Sequence, residues 1–243
     1  MPVGKPDWSY AVENADNEQV ADYAELAARL GSIYKHYRTG NYVWGTSFED
    51  SDASYVLLNL GTGTFTDDTA QTQSGANCKK ITLASGDISG LFVTRWEAFI
   101  NYKGLGFQYS IKAQDGNGSH YATIQLVEDL IAYQFSVKYD PATYEWSVKT
   151  DSGYVVFTTR MINDRGIDNY YERIKLIIDA ESKHYIRLII SGTNYDLSEY
   201  YTDGNVTTLN NLAAFTLQFN IPPSGTDVCY IDDLIVTQNE PLT

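Results

Sequence analysis

The chain has 243 residues and a formal net charge of −14, with a sequence pI of about 4.5, which excludes a protein that holds nucleic acid phosphates by its own positive charge. Twenty tyrosines against nine phenylalanines and four tryptophans favour strands over helices. Cys78 and Cys229 are the only cysteines, too few for a disulfide scaffold and without the CxxC spacing of a zinc site.

In chain order, residues 1–15 (MPVGKPDWSYAVENA) hold Pro2, Pro6, Trp8 and Tyr10 without periodicity and read as an extended arm. From Asn17 to Leu30, Val20, Ala24, Ala27 and Leu30 recur at helical spacing, with Asp16 placed as N-cap and Gly31 as terminator. This narrow apolar stripe needs a partner, either its own sandwich or the same helix of another subunit. The arm carries no apolar core of the kind a signal peptide has, and no stretch reaches the length of a membrane span, so synthesis in the cytoplasm without membrane insertion is expected.

After Gly31 the pattern changes to alternation. Strands are expected at 32–37, 41–46, 55–60, 78–83, 91–102, 106–113, 121–128, 132–139, 144–150, 154–159, 171–179, 184–191, 212–220 and 228–237. Many short strands with turn signals between them indicate a sandwich or barrel. DGNG at 115–118 and Asp140-Pro141 mark turns, the first expected to close a hairpin between its flanking runs.

CYIDDLIVTQ at 229–238 sets Asp232 beside Asp233 in a strand. Strict alternation would put Tyr230, Asp232, Leu234 and Val236 on one face and Ile231, Asp233, Ile235 and Thr237 on the other. Whichever face is buried, one carboxylate goes with it and needs a cation, hydrogen-bond donors or a raised pKa.

Linear signs of catalysis are missing. DGNGS at 115–119 opens like an EF-hand loop, but His120 stands at the sixth position and Leu126 at the twelfth, where glycine and glutamate belong, so it reads as a turn. His36, His120 and His184 are scattered, without HExxH or a nucleophile elbow. The paired carboxylates of a sandwich glycosidase have no alternating acidic strand, and FEDSD at 48–52 comes closest. No enzymatic activity is expected on this reading. Aromatic residues gather at Tyr133, Tyr139, Tyr144 and Trp146, at Tyr170 and Tyr171, and at Tyr195, Tyr200 and Tyr201. Such rings fill a core or, when exposed, stack on sugars, and Tyr144 and Trp146 are the candidate glycan-binding pair. The cysteines are expected as buried free thiols, with a Cys78 to Cys229 bridge as the alternative.

Two resemblances to known families are carried by separate stretches. YYERIKLIIDAESKHYIRLIISGTNYDLS at 170–198, TSFED at 46–50 and CYIDDLIVTQ resemble strands of concanavalin-like and carbohydrate-binding-module jelly rolls. That resemblance implies a structural calcium held by an acid near the first strand and one in the last, here Glu49 with Asp233 or Asp232. MPVGKPDW with the helix and LAARLGSIYKHYRTGNYVWGTSFED is similar to tailed-phage virion proteins in which this leader precedes a lectin-like sandwich.

The expected fold is an all-β jelly-roll sandwich over 32–243, preceded by an assembly arm and short α-helix over 1–31. The expected function is a non-enzymatic structural protein of a phage-like particle, exposed on capsid or tail, made in the host cytoplasm and located in the virion. Its expected partners are further copies of itself in a homo-oligomer and other virion proteins. The alternative is a carbohydrate-binding module or host-glycan adhesin, and a polysaccharide hydrolase or lyase is a third reading that only product release would support.

Overall fold

The computed structural model describes residues 40–49, 55–59, 63–73, 76–83, 91–98, 103–113, 118–162, 171–209, 212–220 and 227–242. The expected arm and helix at 1–31 and the strand at 32–37 lie outside the described residues, as does most of the DGNG turn.

Sixteen described strands make two antiparallel sheets of eight. The first sheet runs β13 (Thr193–Asp196), β12 (His184–Ile190), β11 (Glu172–Asp179), β6 (Gly104–Ala113), β16 (Asp227–Gln238), β4 (Cys78–Leu83) and β3 (Thr64–Asp68). Beside the second half of β16, β1 (Asn41–Thr46) takes the place that β4 holds beside the first half. The second sheet runs β10 (Gly153–Thr159), β9 (Glu145–Thr150), β8 (Ile131–Asp140), β7 (Ser119–Glu128), β15 (Leu212–Asn220), β5 (Leu91–Ala98) and β2 (Val56–Asn59), with β14 (Asn205–Val206) beside the start of β8. This is the expected all-β jelly-roll sandwich.

Alternation builds the core between the sheets. On β7, His120, Ala122, Ile124 and Leu126 are buried while Ser119, Tyr121, Thr123 and Gln125 are half-exposed. Facing them from the first sheet are Leu105, Phe107, Tyr109 and Ile111 of β6 and Ile174, Leu176 and Ile178 of β11. Each fully buried aliphatic side chain contributes roughly 1.5–3 kcal/mol relative to exposure.

The expected hairpin at 115–118 does not form as drawn. β6 pairs with β11 and β16, whereas β7 pairs with β8 and β15, so the connection crosses from one sheet to the other. Two alternating runs around a turn signal look alike whether or not they pair. The Asp140-Pro141 turn does join paired strands, β8 and β9. Three short strands, β3, β13 and β14, escape the sequence pattern; β14 has two residues, too few to show a period.

The paired aspartates of β16 are a β-bulge. Asp232 lies opposite Ser110 and Ile235 opposite Gln108, so Asp233 and Leu234 together face Tyr109, and Asp233 sits at φ 50°. The extra residue changes which side chains face the core: Cys229 and Ile231 before it, Leu234 and Val236 after it. Strict alternation therefore fails at this point, and both carboxylates are buried. Aspartate tolerates a left-handed backbone better than most residues because its short side chain bonds locally. Here Asp232 Oδ1 accepts the Asp233 N–H at 2.8 Å.

The cysteines lie on opposite faces of the first sheet. Cys229 is in the main core and lies opposite Ile81, while Cys78 packs outside with Tyr171 and Tyr230. Both are buried free thiols, and a bridge between them is excluded. Burial pushes the Cys78 thiol up to about 11.

Candidate functional site

The outward faces of the two sheets differ. On the first sheet Gln108, Ser110, Lys112, Lys175, Asp232 and Thr237 are polar yet buried. Part of the cover is the segment between β3 and β4. Asp68 Oδ1 accepts the N–H groups of Ala70 and Gln71 at 2.9 Å each, the Tyr171 hydroxyl donates to the Gln71 carbonyl, and Lys112 donates to Gln71 Oε1. At the other end of this face Lys175 and Glu240 form an ion pair of 2.6 Å with both side chains fully buried. Burial holds the Lys175 amine below its usual range against the pull of Glu240.

Two of the three acids assigned to calcium, Glu49 and Asp232, belong to this cover, and Asp233 occupies the bulge beside Asp232. Asp232 Oδ2 accepts the Gln73 N–H at 3.0 Å, and Glu49 Oε1 accepts those of Ala76 and Asn77 at 2.7 and 2.8 Å. Glu49 and Asp232 are thus brought to the same segment, Asp232 at its middle and Glu49 at its end beside β4, each facing backbone donors. Among the described residues no three carboxylate, histidine or cysteine side chains gather as a metal site; Glu49 and Asp232 anchor the segment through its backbone N–H groups.

The glycan pair is separated. Tyr144 lies in the turn between β8 and β9 and is exposed. Trp146 is completely buried: its indole N–H donates to the Arg160 carbonyl at 3.0 Å, and its ring packs on Tyr139 and His120. Trp146 is therefore corrected from glycan ligand to core residue, because inward alternation on β9 leaves no ring face for a sugar. His120 beside it is enclosed by Tyr109, Tyr139, Trp146 and Phe219, and burial pulls its pKa down to about 3.

The second sheet presents the open face. Val156, Ser147, Lys138, Tyr121 and Gln218 stand opposite one another across β10, β9, β8, β7 and β15. At the usual strand spacing this row is about 19 Å long. The next row carries Ser136, Thr123 and Thr216. Thr123 Oγ1 donates to Ser136 Oγ at 2.9 Å, as does the Tyr154 hydroxyl at 3.1 Å, and the Tyr154 ring meets that of Tyr121 edge-on at 5.8 Å. Lys138 is paired with Asp140 at 2.9 Å, and with the nearby tyrosine hydroxyls this outweighs burial and holds its amine above the usual range. Lys149 donates to Gln134 Oε1. The face thus combines two adjoining tyrosine rings with hydroxyl, amide and ammonium groups, the set that stacks on sugar rings and bonds their hydroxyls. The sequence offered a signal, since Tyr121 and Thr123 alternate with apolar residues on β7, but it did not show which sheet face stays open.

No protein-family model and no curated protein matches the chain. Solved structures share its fold. An endo-β-1,4-glucuronan lyase from the fungus Trichoderma reesei superposes with a TM-score of 0.55 at 9% identity, over 82% of this chain and 96% of that one. A carbohydrate esterase from the Shiga toxin-encoding bacteriophage phi24B gives 0.51 at 15%, over 83% and 100%. A cellulose-induced protein gives 0.50 at 11%, over 80% and 97%.

These neighbours correct the expectation of a protein without enzymatic activity. Two of them are carbohydrate-active enzymes by name on this same sandwich. The expectation rested on missing linear motifs, and a site on a sandwich is assembled from separate strands that leave no such motif.

Proposed function

We propose that this protein is a carbohydrate-active jelly roll that engages polysaccharide on the open face of its second sheet, with Tyr121 and Tyr154 as stacking rings and Thr123, Gln134, Lys138, Lys149 and Gln218 as polar contacts. The observation that carries this reading is the contrast between the two faces: polar groups on the first sheet are buried under their own chain, whereas Thr123, Lys138, Lys149 and Gln218 on the second are half-exposed around two tyrosines, with Ser136 and Ser147 buried beneath them. The shared fold with a glucuronan lyase and a carbohydrate esterase supports it.

A setting in a phage particle is a second part of the proposal. It rests on the leader's similarity to virion proteins and on the bacteriophage source of the esterase that the whole fold matches. Copies of the chain on a particle would present many such faces to a host glycan.

Affinity electrophoresis in neutral and acidic polysaccharides, with product release measured in parallel, tests the reading. Retardation by at least one polysaccharide is expected, and Tyr121→Ala with Tyr154→Ala should weaken it by roughly tenfold or more, the scale of lost aromatic contact. Unretarded migration in every polysaccharide with no product released would reject it.

A further inference from the structure

We propose that β10 is a dimerisation edge: two copies of this chain join antiparallel along Gly153–Thr159 and continue the second sheet across a two-fold axis. Among the described residues β10 pairs with β9 alone and ends the sheet. Its sequence, GYVVFTT, has no charge, although the chain carries −14. Tyr154, Val155 and Val156 are 42, 39 and 48% exposed in succession.

Edges are ordinarily protected by charge or shortness. At the ends of the first sheet, β3 carries Asp67 and Asp68 and β13 carries Asp196. The other end of the second sheet, β2, has four residues. β10 has seven residues and neither protection.

The occupant follows from charge and pattern. Two copies of so acidic a chain repel one another, and β10 against β10 adds no carboxylate of either strand to the contact. With Val155 on the axis, Tyr154 of each copy falls opposite Val156 of the other on the open face, an aromatic against a β-branched residue in both directions. The register break with β9 lies between Val156 and Thr158, beyond these three positions. Phe157 instead packs on Tyr195 of β13.

A single edge buries less than the roughly 1,200–2,000 Å² of a tight interface, so the dimer dissociates on dilution. In the dimer the row that begins at Val156 runs on into the second copy, which doubles the open face.

Sedimentation equilibrium of the full chain across a dilution series tests this. A monomer–dimer equilibrium is expected, and Val155→Lys or Val156→Lys should raise its dissociation constant roughly tenfold or more, with circular dichroism unchanged. Val206→Lys, at a site 90% exposed on β14, should leave it alone. In the unsubstituted chain, β10 amides should exchange hydrogen more slowly at high concentration than at low. A chain monomeric throughout, an oligomer indifferent to both lysines, or β10 exchange independent of concentration would overturn the proposal.

Discussion

The Tyr185 hydroxyl, carried on the first sheet, donates to the Lys149 carbonyl of the second at 2.7 Å and accepts the Ser136 N–H at 2.8 Å. The ladder between β8 and β9 is regular from Asp140 to Val137, opposite Glu145 to Val148, and the hydroxyl bridges the two strands at the next position. A side chain crossing the core thus links the backbones of the two strands beneath Ser136 and Lys149 on the open face.

Tyr185→Phe keeps the ring, which packs on Phe135, and removes the bridge. It should lower unfolding free energy by about 1–3 kcal/mol, the cost of leaving buried backbone groups unbonded. Chemical denaturation measures this, and an unchanged midpoint would show that water replaces the hydroxyl.

Trp146→Ala should destabilise by about 3–5 kcal/mol as a core truncation, whereas Tyr144→Ala on the exposed turn should stay within about 0.5 kcal/mol. Thermal melts of the two variants separate core from surface. Polysaccharide binding lost in a folded Trp146 variant would contradict the assignment of that ring to the core alone.

His120 makes stability depend on pH. Burial lowers its folded pKa to about 3 from the usual 6.5, so between these values the unfolded chain binds the proton and the folded chain does not. Stability contributed by neutral His120 is complete above about 6.5 and falls with pH from there towards about 3, by at most about 1.4 kcal/mol per pH unit. His120→Phe should flatten that dependence between pH 6.5 and 4.5 relative to the unsubstituted chain, measured by urea unfolding at each pH. Equal slopes would place the acid sensitivity in the carboxylates instead.

Glu49 and Asp232 hold the segment between β3 and β4 through backbone donors. Glu49→Gln and Asp232→Asn should each lower Tm, by about 1–3 kcal/mol in unfolding free energy. Chelator and added calcium should leave the Tm of the unsubstituted chain where it is. A rise on adding calcium would restore a metal to these acids.

The resemblance behind the calcium expectation paired Glu49 with an aspartate of the last strand, and both acids do meet the same segment. Their partners were not legible: the N–H groups of Gln73, Ala76 and Asn77 belong to a stretch without periodicity, and the contact between Gln73 and Asp232 spans 159 residues. The bulge was equally hidden, since two adjacent aspartates in a strand fit alternation or a register shift and only the partner strand β6 decides which. Trp146 was misassigned because an aromatic residue on a strand fits either face.

The sequence by itself determined the all-β class and most of the strands, because period-two burial is a local property written along each strand. It also determined the acidity that argues against a nucleic-acid-binding role, and the free thiols expected of two distant cysteines. Tertiary structure alone decided that β6 and β7 part into different sheets, that the first sheet's polar face is covered and the second's open, and that β10 is left at an edge. These depend on which strands pair and what packs over them. Hydrogen bonding between backbones is nearly independent of side-chain identity, so the pairing that places the open face is not written in any one stretch of the chain.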